Sequence, residues 1–304
     1  MTEEHGADRW PADVDGLRRA AVLGSPIAHS LSPALHRAAY AQLGLPGWRY
    51  DAVDVVEADL AGFLAGCGPE WAGLSLTMPL KRAVLPLLDD VDEVVRATGV
   101  VNTVTWEPAG DGGVGRRALG ANTDVEGLVR ALRPAVEEAG RTSDLRGAVL
   151  GGGATAVSAV AALAALGCSS VVAHVRSPAR AAALVDVGAR CGAQVELAPW
   201  DAAASGLAGA DVVIATAPAG AADEVAAGLA PGRTGGVLLD VVYDPSPTAL
   251  GAAWAAGGPV VDGFEMLVHQ AVGQVRLMTG RAPAADVLRE AGLAERRRRA
   301  RDDA

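Results

Sequence analysis

The sequence predicts a two-lobed α/β protein. An N-terminal α/β lobe comes first, a doubly wound parallel sheet follows, and the last helices return to the first lobe. Three observations carry this. Residues 147–159 read GAVLGGGATAVSA, a short apolar strand, a glycine turn and a helix of small residues. From that turn onward, strand-length and helix-length segments alternate, the pattern of a parallel sheet covered on both faces. About 146 residues precede the turn, enough for a lobe with its own core.

Taken in order, residues 1–17 are a polar, acidic lead with no apolar core, so they are read as a flexible tail and not as a signal peptide. Residues 19–24 (RAAVLG) form a first strand, and a helix starts at Pro33, where proline suits the first turn. Residues 48–55 alternate as a strand, 57–65 make a short helix, and 73–77 (GLSLT) make another strand that stops before Pro79. A helix over 90–97, a strand over 100–104 and a glycine-rich hairpin loop over 107–115 follow. The helix over 124–139 reads as the bridge between lobes. Strands over 148–151, 170–175, 194–197, 211–215 and 237–241 then alternate with helices over 154–166 and 179–191. A long amphipathic helix runs from Asp262 to about Met278, and a shorter one begins at Ala284. The predicted domains are 18–123 completed by 259–292, and 124–258, with 1–17 and 293–304 as tails.

Of the 304 residues half are apolar and a fifth charged, an ordinary globular balance. The formal net charge of −10 argues against nonspecific nucleic-acid binding. The one basic cluster, Arg296–Arg299 with Arg301, reads as a solvated tail. Cys67, Cys168 and Cys191 match no metal or redox spacing and are expected to be reduced thiols in a cytoplasmic protein. Residues 154–175 lack Lys, Arg, Asp and Glu, but Gly167-Cys168-Ser169-Ser170 breaks the run, so helix, turn and buried strand are expected there and not a membrane span.

The turn has the G-x-G-x-x-A form at Gly151, Gly153 and Ala156. Such a turn brings the backbone N–H groups of Gly152, Gly153, Ala154 and Thr155 toward a dinucleotide pyrophosphate at a helix N-terminus. The next strand ends His174-Val175-Arg176-Ser177. An enzyme using NAD usually has an acid there for the ribose 2′-hydroxyl. Arg176 can instead pair with a 2′-phosphate, which favours NADP.

Four polar clusters stand out in the first lobe. Ser30 and Ser32 place two hydroxyls at a helix start, a seat for a carboxylate, though alone the pair also reads as an N-cap. Ser75-Leu76-Thr77 puts two polar side chains on one strand face, with Lys81 four residues beyond Thr77. Asn102 ends a strand, and Asn122-Thr123-Asp124 places a carboxylate where the two sequence halves join.

Seven motifs occur in order: GSPIAHSLSP (24–33), SLTMPLK (75–81), VNT (101–103), NTDVEG (122–127), GGGATA (151–156), DVVYDP (240–245) and DGFEMLVHQA (262–271). In this combination, over residues 18–290, the chain resembles the shikimate dehydrogenase family. The resemblance implies reversible, NADP-dependent reduction of 3-dehydroshikimate to shikimate in aromatic amino-acid biosynthesis. It implies Lys81 and Asp124 as the catalytic pair and Ser30 and Ser32 as carboxylate ligands. Thr77, Asn102 and Gln270 would bond the substrate's polar groups, with Tyr243 at its edge. Gly151 and Gly153 would hold the pyrophosphate, Arg176 and Ser177 the 2′-phosphate side, and Thr216 and Gly263 would lie toward the nicotinamide.

Proton transfer fits this assignment. Oxidising a secondary alcohol removes a hydride from carbon and a proton from oxygen. The chain shows neither a zinc-ligand cluster nor a Ser-Tyr-Lys set of the short-chain kind, so the proton falls to Lys81. Burial would lower the lysine pKa, and Asp124 would favour its charged form. Three departures from the family stand out: Ser75 where Asn is frequent, Val157 where a second basic residue is frequent, and Val175 where Asn is usual. Serine has less reach than asparagine, so one substrate contact is expected to run through water, and the two valines leave Arg176 as the main discriminator. The alternatives are an NAD-dependent quinate/shikimate dehydrogenase, a noncatalytic NADP/shikimate sensor and, with less support, a methylene-tetrahydrofolate dehydrogenase-like enzyme. A small-molecule substrate, no nucleic acid, no membrane, no metal, and a monomer or homodimer complete the expectations.

Overall fold

The structure, a computed structural model, describes residues 17–109, 115–140, 144–230, 232 and 234–302. It divides into two compact units, with breaks after Thr123 and after His269.

The first unit contains β1 (Arg18–Gly24), α1 (Ser32–Gln42), β2 (Trp48–Asp54), α2 (Glu57–Ala65), β3 (Trp71–Leu76), α3 (Leu80–Ala83), β4 (Asp90–Val91), α4 (Glu93–Thr98), β5 (Thr103–Pro108) and β6 (Arg116–Ala121). Its sheet has the order β2-β1-β3-β5-β6-β4. β1 runs parallel to β2 and β3, while β5 is antiparallel to β3 and β6. Every residue of β3 is buried, as expected for a central strand covered on both faces. Leu23, Leu60, Trp71, Leu74 and Val104 form the core, with Phe63 edge-on to Trp71.

The antiparallel part of this sheet departs from the sequence reading. The expected helix over 90–97 is a two-residue strand followed by α4, because the Asp92 carboxylate accepts from the Val95 N–H at 2.7 Å and starts the helix there. The expected strand over 100–104 begins instead at Thr103 and runs to Pro108, into the expected loop, and β6, which was not expected, follows that loop. Two arginines disguise β6 as polar. Arg116 lays its guanidinium 4.9 Å over the Trp106 ring and donates to the carbonyls of Trp71 and Cys67 at 3.0 and 2.7 Å. It therefore packs as a partly apolar side chain would. Residues 110–114 of the expected hairpin loop lie outside the described residues, as do 1–16 of the expected lead and 303–304 of the expected tail.

The second unit opens with α5 (Asp124–Glu138) and continues through β7 (Leu145–Leu150), α6 (Ala154–Ala165), β8 (Cys168–Val175), α7 (Pro178–Ala181), α8 (Ala183–Cys191), β9 (Gln194–Pro199), α9 (Ala203–Ala208), β10 (Val212–Ala215), α10 (Asp223–Gly228), β11 (Val237–Asp240), α11 (Ala249–Trp254) and β12 (Val260–Asp262). The six strands are all parallel, in the order β12-β11-β10-β7-β8-β9. This is the doubly wound, Rossmann-type arrangement, and its topological switch point lies between β7 and β10. The uncharged run over 154–175 is α6, a turn at Gly167 and β8, and no helix among the described residues is long and apolar enough to cross a membrane.

Two boundaries differ from the sequence reading. The return to the first unit comes at Gln270 and not near 259, because β12 pairs with β11 and so extends the second sheet. Helix α12 (Gly263–Thr279) carries the chain across that break. The expected flexible tail is wrong for residues 293–302, which are the end of helix α13 (Ala285–Asp302), packed on α1. Helix α13 buries only Leu288 and Gly292, so no apolar stripe announced its last turns. Polar contacts anchor them instead, with Arg299 donating to the carbonyls of His29 and Ser30 just before α1.

Candidate active site

In the first unit the motif residues gather where β1 and β3 end. The Thr77 N–H donates to the Leu23 carbonyl, the Leu76 N–H to that of Asn102, and the Val101 N–H to that of Lys81. Gly24 makes this approach possible, since a Cβ there would lie 2.3 Å from Thr77 Cγ2 and 2.8 Å from the Met78 carbonyl oxygen. Lys81 is half-buried on the short α3.

Asn102 is 1% exposed and joins several of these motifs. Its Nδ2 donates to Thr123 Oγ1 at 2.9 Å and to Gln270 Oε1 at 3.4 Å. Its Oδ1 accepts from the Thr123 N–H at 2.9 Å and from Thr103 Oγ1 at 2.8 Å. Two motif amides 168 residues apart thus meet as neighbours.

A second chain of hydrogen bonds leads from the paired serines. Ser32 is buried and its hydroxyl bonds Tyr50. The Tyr50 hydroxyl donates to Ser75 Oγ at 2.6 Å, and Ser75 Oγ donates to Gln274 Oε1 at 2.8 Å. Gln274 Nε2 donates to the Asn102 carbonyl and to Thr103 Oγ1, both at 3.1 Å. His36, stacked 3.9 Å from Tyr50, donates from Nε2 to Gln274 Oε1 at 3.3 Å. Burial pushes the His36 imidazole down to about 3, opposed by its bond to Gln274, and pushes the Tyr50 phenol up. A neutral imidazole and a neutral phenol therefore stand in this network at any pH near 7.

Tyr50, Gln274 and His36 escaped the sequence reading as site residues. Gln274 lies one helical turn from Gln270, a polar pair at i, i+4 on a largely buried helix, and that spacing was the available signal. Ser75 does not simply leave a gap where asparagine is frequent, because its hydroxyl is built into the network.

Ser30 and Ser32 lie at the start of α1. The Ser32 N–H donates to Ser30 Oγ at 3.3 Å, Pro33 brings no N–H, and the Ala34 and Leu35 N–H groups donate to the Leu31 carbonyl, so the two hydroxyls, not free backbone N–H groups, are what this helix start offers a ligand.

In the second unit the glycine turn has distinct steric reasons at each position. Gly151 has φ +125°, and a Cβ there would lie 2.4 Å from Thr216 Oγ1. Thr216 Oγ1 in turn donates to the Leu150 carbonyl at 3.1 Å, so turn and threonine meet at the switch point. A Cβ on Gly152 would press on Ala181 at 3.1 Å. Around Gly153 a Cβ would meet nothing within 4 Å, so the protein itself does not demand glycine there. The space over Gly153 leaves its backbone open to close approach. Gly153 opens α6, whose first turn, with Ala154 and Thr155, holds no acid and no side-chain cap. Ala156 is fully buried against the sheet. The residues present therefore fit a dinucleotide phosphate.

Arg176 is exposed after β8, 4.6 Å over the Trp200 ring, and donates from Nη2 to the Ala221 carbonyl at 3.2 Å. Ser177 precedes α7 with no side-chain cap bond. Val157 and Val175 are in the core, at 0% and 3% exposure. Trp200 was missed because nothing in its local pattern separates it from a surface aromatic. Asp240 accepts from the Val242 N–H at 3.1 Å and from Thr248 Oγ1 at 2.8 Å, which ties down the loop bearing half-buried Tyr243. Gly263 is required by packing, since its Cβ would lie 2.4 Å from the Asp240 carbonyl oxygen. Asp124, 3% exposed, is the first residue of α5, where the helix dipole favours a carboxylate.

Comparison with known proteins agrees with this two-part arrangement. A family model of the shikimate dehydrogenase substrate binding domain matches residues 22–104, and one of the shikimate 5'-dehydrogenase C-terminal domain matches residues 263–291. The shikimate dehydrogenase (NADP(+)) of Moorella thermoacetica is 39% identical over 89% of this chain and 92% of its own. Among solved structures, Mycobacterium tuberculosis shikimate dehydrogenase superposes with a TM-score of 0.79 at 39% identity, covering 91% of this chain and 99% of its own. Shikimate 5-dehydrogenase from Thermus thermophilus, in complex with NADP(H) and shikimate, gives 0.74 at 32% identity, covering 91% and 99%. Fold and site thus define an oxidoreductase with a dinucleotide-binding unit. The chain belongs to the shikimate dehydrogenase family.

Proposed function

We propose that the chain catalyses the reversible reduction of 3-dehydroshikimate to shikimate with NADP(H), as a step of aromatic amino-acid biosynthesis. The observation that carries this reading is the buried polar cluster of the first unit, in which Asn102 and Gln270 come together from separate motifs. Such a cluster holds amides and hydroxyls side by side, the groups that bond a small, densely hydroxylated ligand.

NADPH, when bound, supplies the hydride. Ser30 and Ser32 hold the substrate carboxylate. Asn102, Thr77 and Gln270 orient its hydroxyls, and Tyr243 borders it. Lys81, as an ammonium, gives its proton to the oxygen that becomes the alcohol, and takes one back in oxidation. Asp124 is the carboxylate partner that orients that lysine. Gly151, Gly152, Gly153, Ala154 and Thr155 receive the pyrophosphate, and Thr216 and Gly263 lie toward the nicotinamide. Arg176, with Ser177, pairs with the 2′-phosphate and sets the preference for NADP.

The test is a set of initial rates crossing shikimate and quinate with NADP and NAD. Turnover concentrated in shikimate with NADP is expected. Dominant quinate turnover with NAD would replace this reading, and binding of NADP without any turnover would point to a sensor.

A further inference from the structure

Arginines that look like a solvated tail in sequence are the last turns of α13, and one of them reaches the Ser30 loop. Arg299 donates from Nη1 to the His29 carbonyl at 2.8 Å and from Nη2 to the Ser30 carbonyl at 3.0 Å. Its Nε donates to Glu295 Oε1 at 2.8 Å. The guanidinium fork thus spans two consecutive peptide carbonyls, while a carboxylate fixes its plane. The Arg299 side chain is 27% exposed, against 56% for Arg298 on the same glutamate. Hydrogen bonds from Arg298 and then Arg299 hold the Glu295 carboxyl down to about 2, so the clamp stays ionised near neutral pH. Arg299 also lies beyond residue 291, where the family match ends.

We propose that Arg299 is a positioning residue for substrate binding: it fixes the His29–Ser30 backbone so that Ser30 and Ser32 present donors to the substrate carboxylate. The inference rests on the reading of those serines as the carboxylate seat. Carbonyl lone pairs turned toward a carboxylate would repel it, and Arg299 engages both carbonyls of this segment. The Ser32 N–H and Ser30 Oγ meanwhile remain together at 3.3 Å.

The experiment compares Arg299→Ala, Arg299→Lys and Ser32→Ala in the full-length enzyme, measuring KM for shikimate, KM for NADP, kcat and thermal midpoint. Arg299→Ala is expected to raise KM for shikimate about tenfold, the scale of two modest hydrogen bonds lost. Its kcat and KM for NADP should stay within about twofold. Arg299→Lys keeps the charge without the fork and should fall between the two, and it stands in if the alanine variant does not fold. An unchanged KM for shikimate in both Arg299 variants, with Ser32→Ala raising it, would overturn the role of Arg299 alone. An unchanged KM in Ser32→Ala would remove the seat itself and the inference with it. A lower kcat and thermal midpoint, together with a rise in both KM values, would show a merely structural clamp and would also overturn the proposal.

Discussion

Lys81 and Arg176 test the reading at the scale of single residues. Lys81 is half-buried, and its carbonyl accepts the N–H of the residue before Asn102, so its backbone is fixed next to the polar cluster. If its main task is proton transfer, Lys81→Ala should lower kcat by about 10²–10⁴-fold, the range of general acid–base catalysis. Shikimate affinity by titration calorimetry should stay within about tenfold. An equal loss of affinity and rate would assign the lysine to binding instead. Arg176 stands over Trp200 with one guanidinium nitrogen on the Ala221 carbonyl, which leaves its remaining donors to a phosphate. The buried Val157 and Val175 offer no further charge. Arg176→Asp should therefore shift the ratio of kcat/KM for NADP over NAD toward NAD by about 10- to 100-fold, as loss of a charged hydrogen bond implies. An unmoved ratio would sink the phosphate assignment.

At the scale of an element, the turn between β7 and α6 separates folding from ligand approach. Gly151 combines a positive φ with a close threonine, whereas Gly153 faces open space. Gly151→Ala should cost about 1–3 kcal/mol of stability, seen as a lower thermal midpoint without cofactor. Gly153→Ala should leave that midpoint nearly unchanged yet raise KM for NADP. A Gly153→Ala variant with normal cofactor affinity would mean that no ligand backs onto this turn. The same turn explains what sequence reveals well. Strand, glycine turn and helix here are local, so the pattern over 147–159 sufficed, and α2 was read at its observed bounds for the same reason. Elements held by distant polar partners were hidden. Strand β6 carries Arg116 where an apolar residue would have announced it, and the last turns of α13, beyond the helix expected from Ala284, dock through Arg299 on a loop some 270 residues away in sequence. Within the buried cluster, the family resemblance pointed to Asn102 and Gln270, which the fold brings together. Tyr50 and Gln274 have no motif of their own and become visible only when β2 and α12 converge on Ser75.

At the scale of the whole molecule, that buried network governs acid stability. His36 is completely buried and its imidazole is held down to about 3, so folding keeps it neutral. The unfolded chain has an ordinary histidine near pH ~6.5. Between these values the unfolded state binds the extra proton, so stability falls as pH drops from about 6.5 toward 3. Full linkage would remove about 2 kcal/mol between pH 7 and pH 5. The carboxylates act lower on the scale. Those of Asp90 and Glu295, held below their ordinary values, lose their contributions only under more acid conditions. Asp240, raised chiefly by burial, works in the opposite direction and gains stability as it protonates. Urea unfolding at pH 7, 6 and 5, compared between the parent chain and His36→Gln, isolates the histidine because the carboxylates are common to both. The parent should lose stability over this interval by the amount above, and the variant should lose much less. Equal losses in the two proteins would mean that His36 takes up its proton in the folded state, where Gln274 Oε1 and the Tyr40 hydroxyl would then have to accommodate an imidazolium.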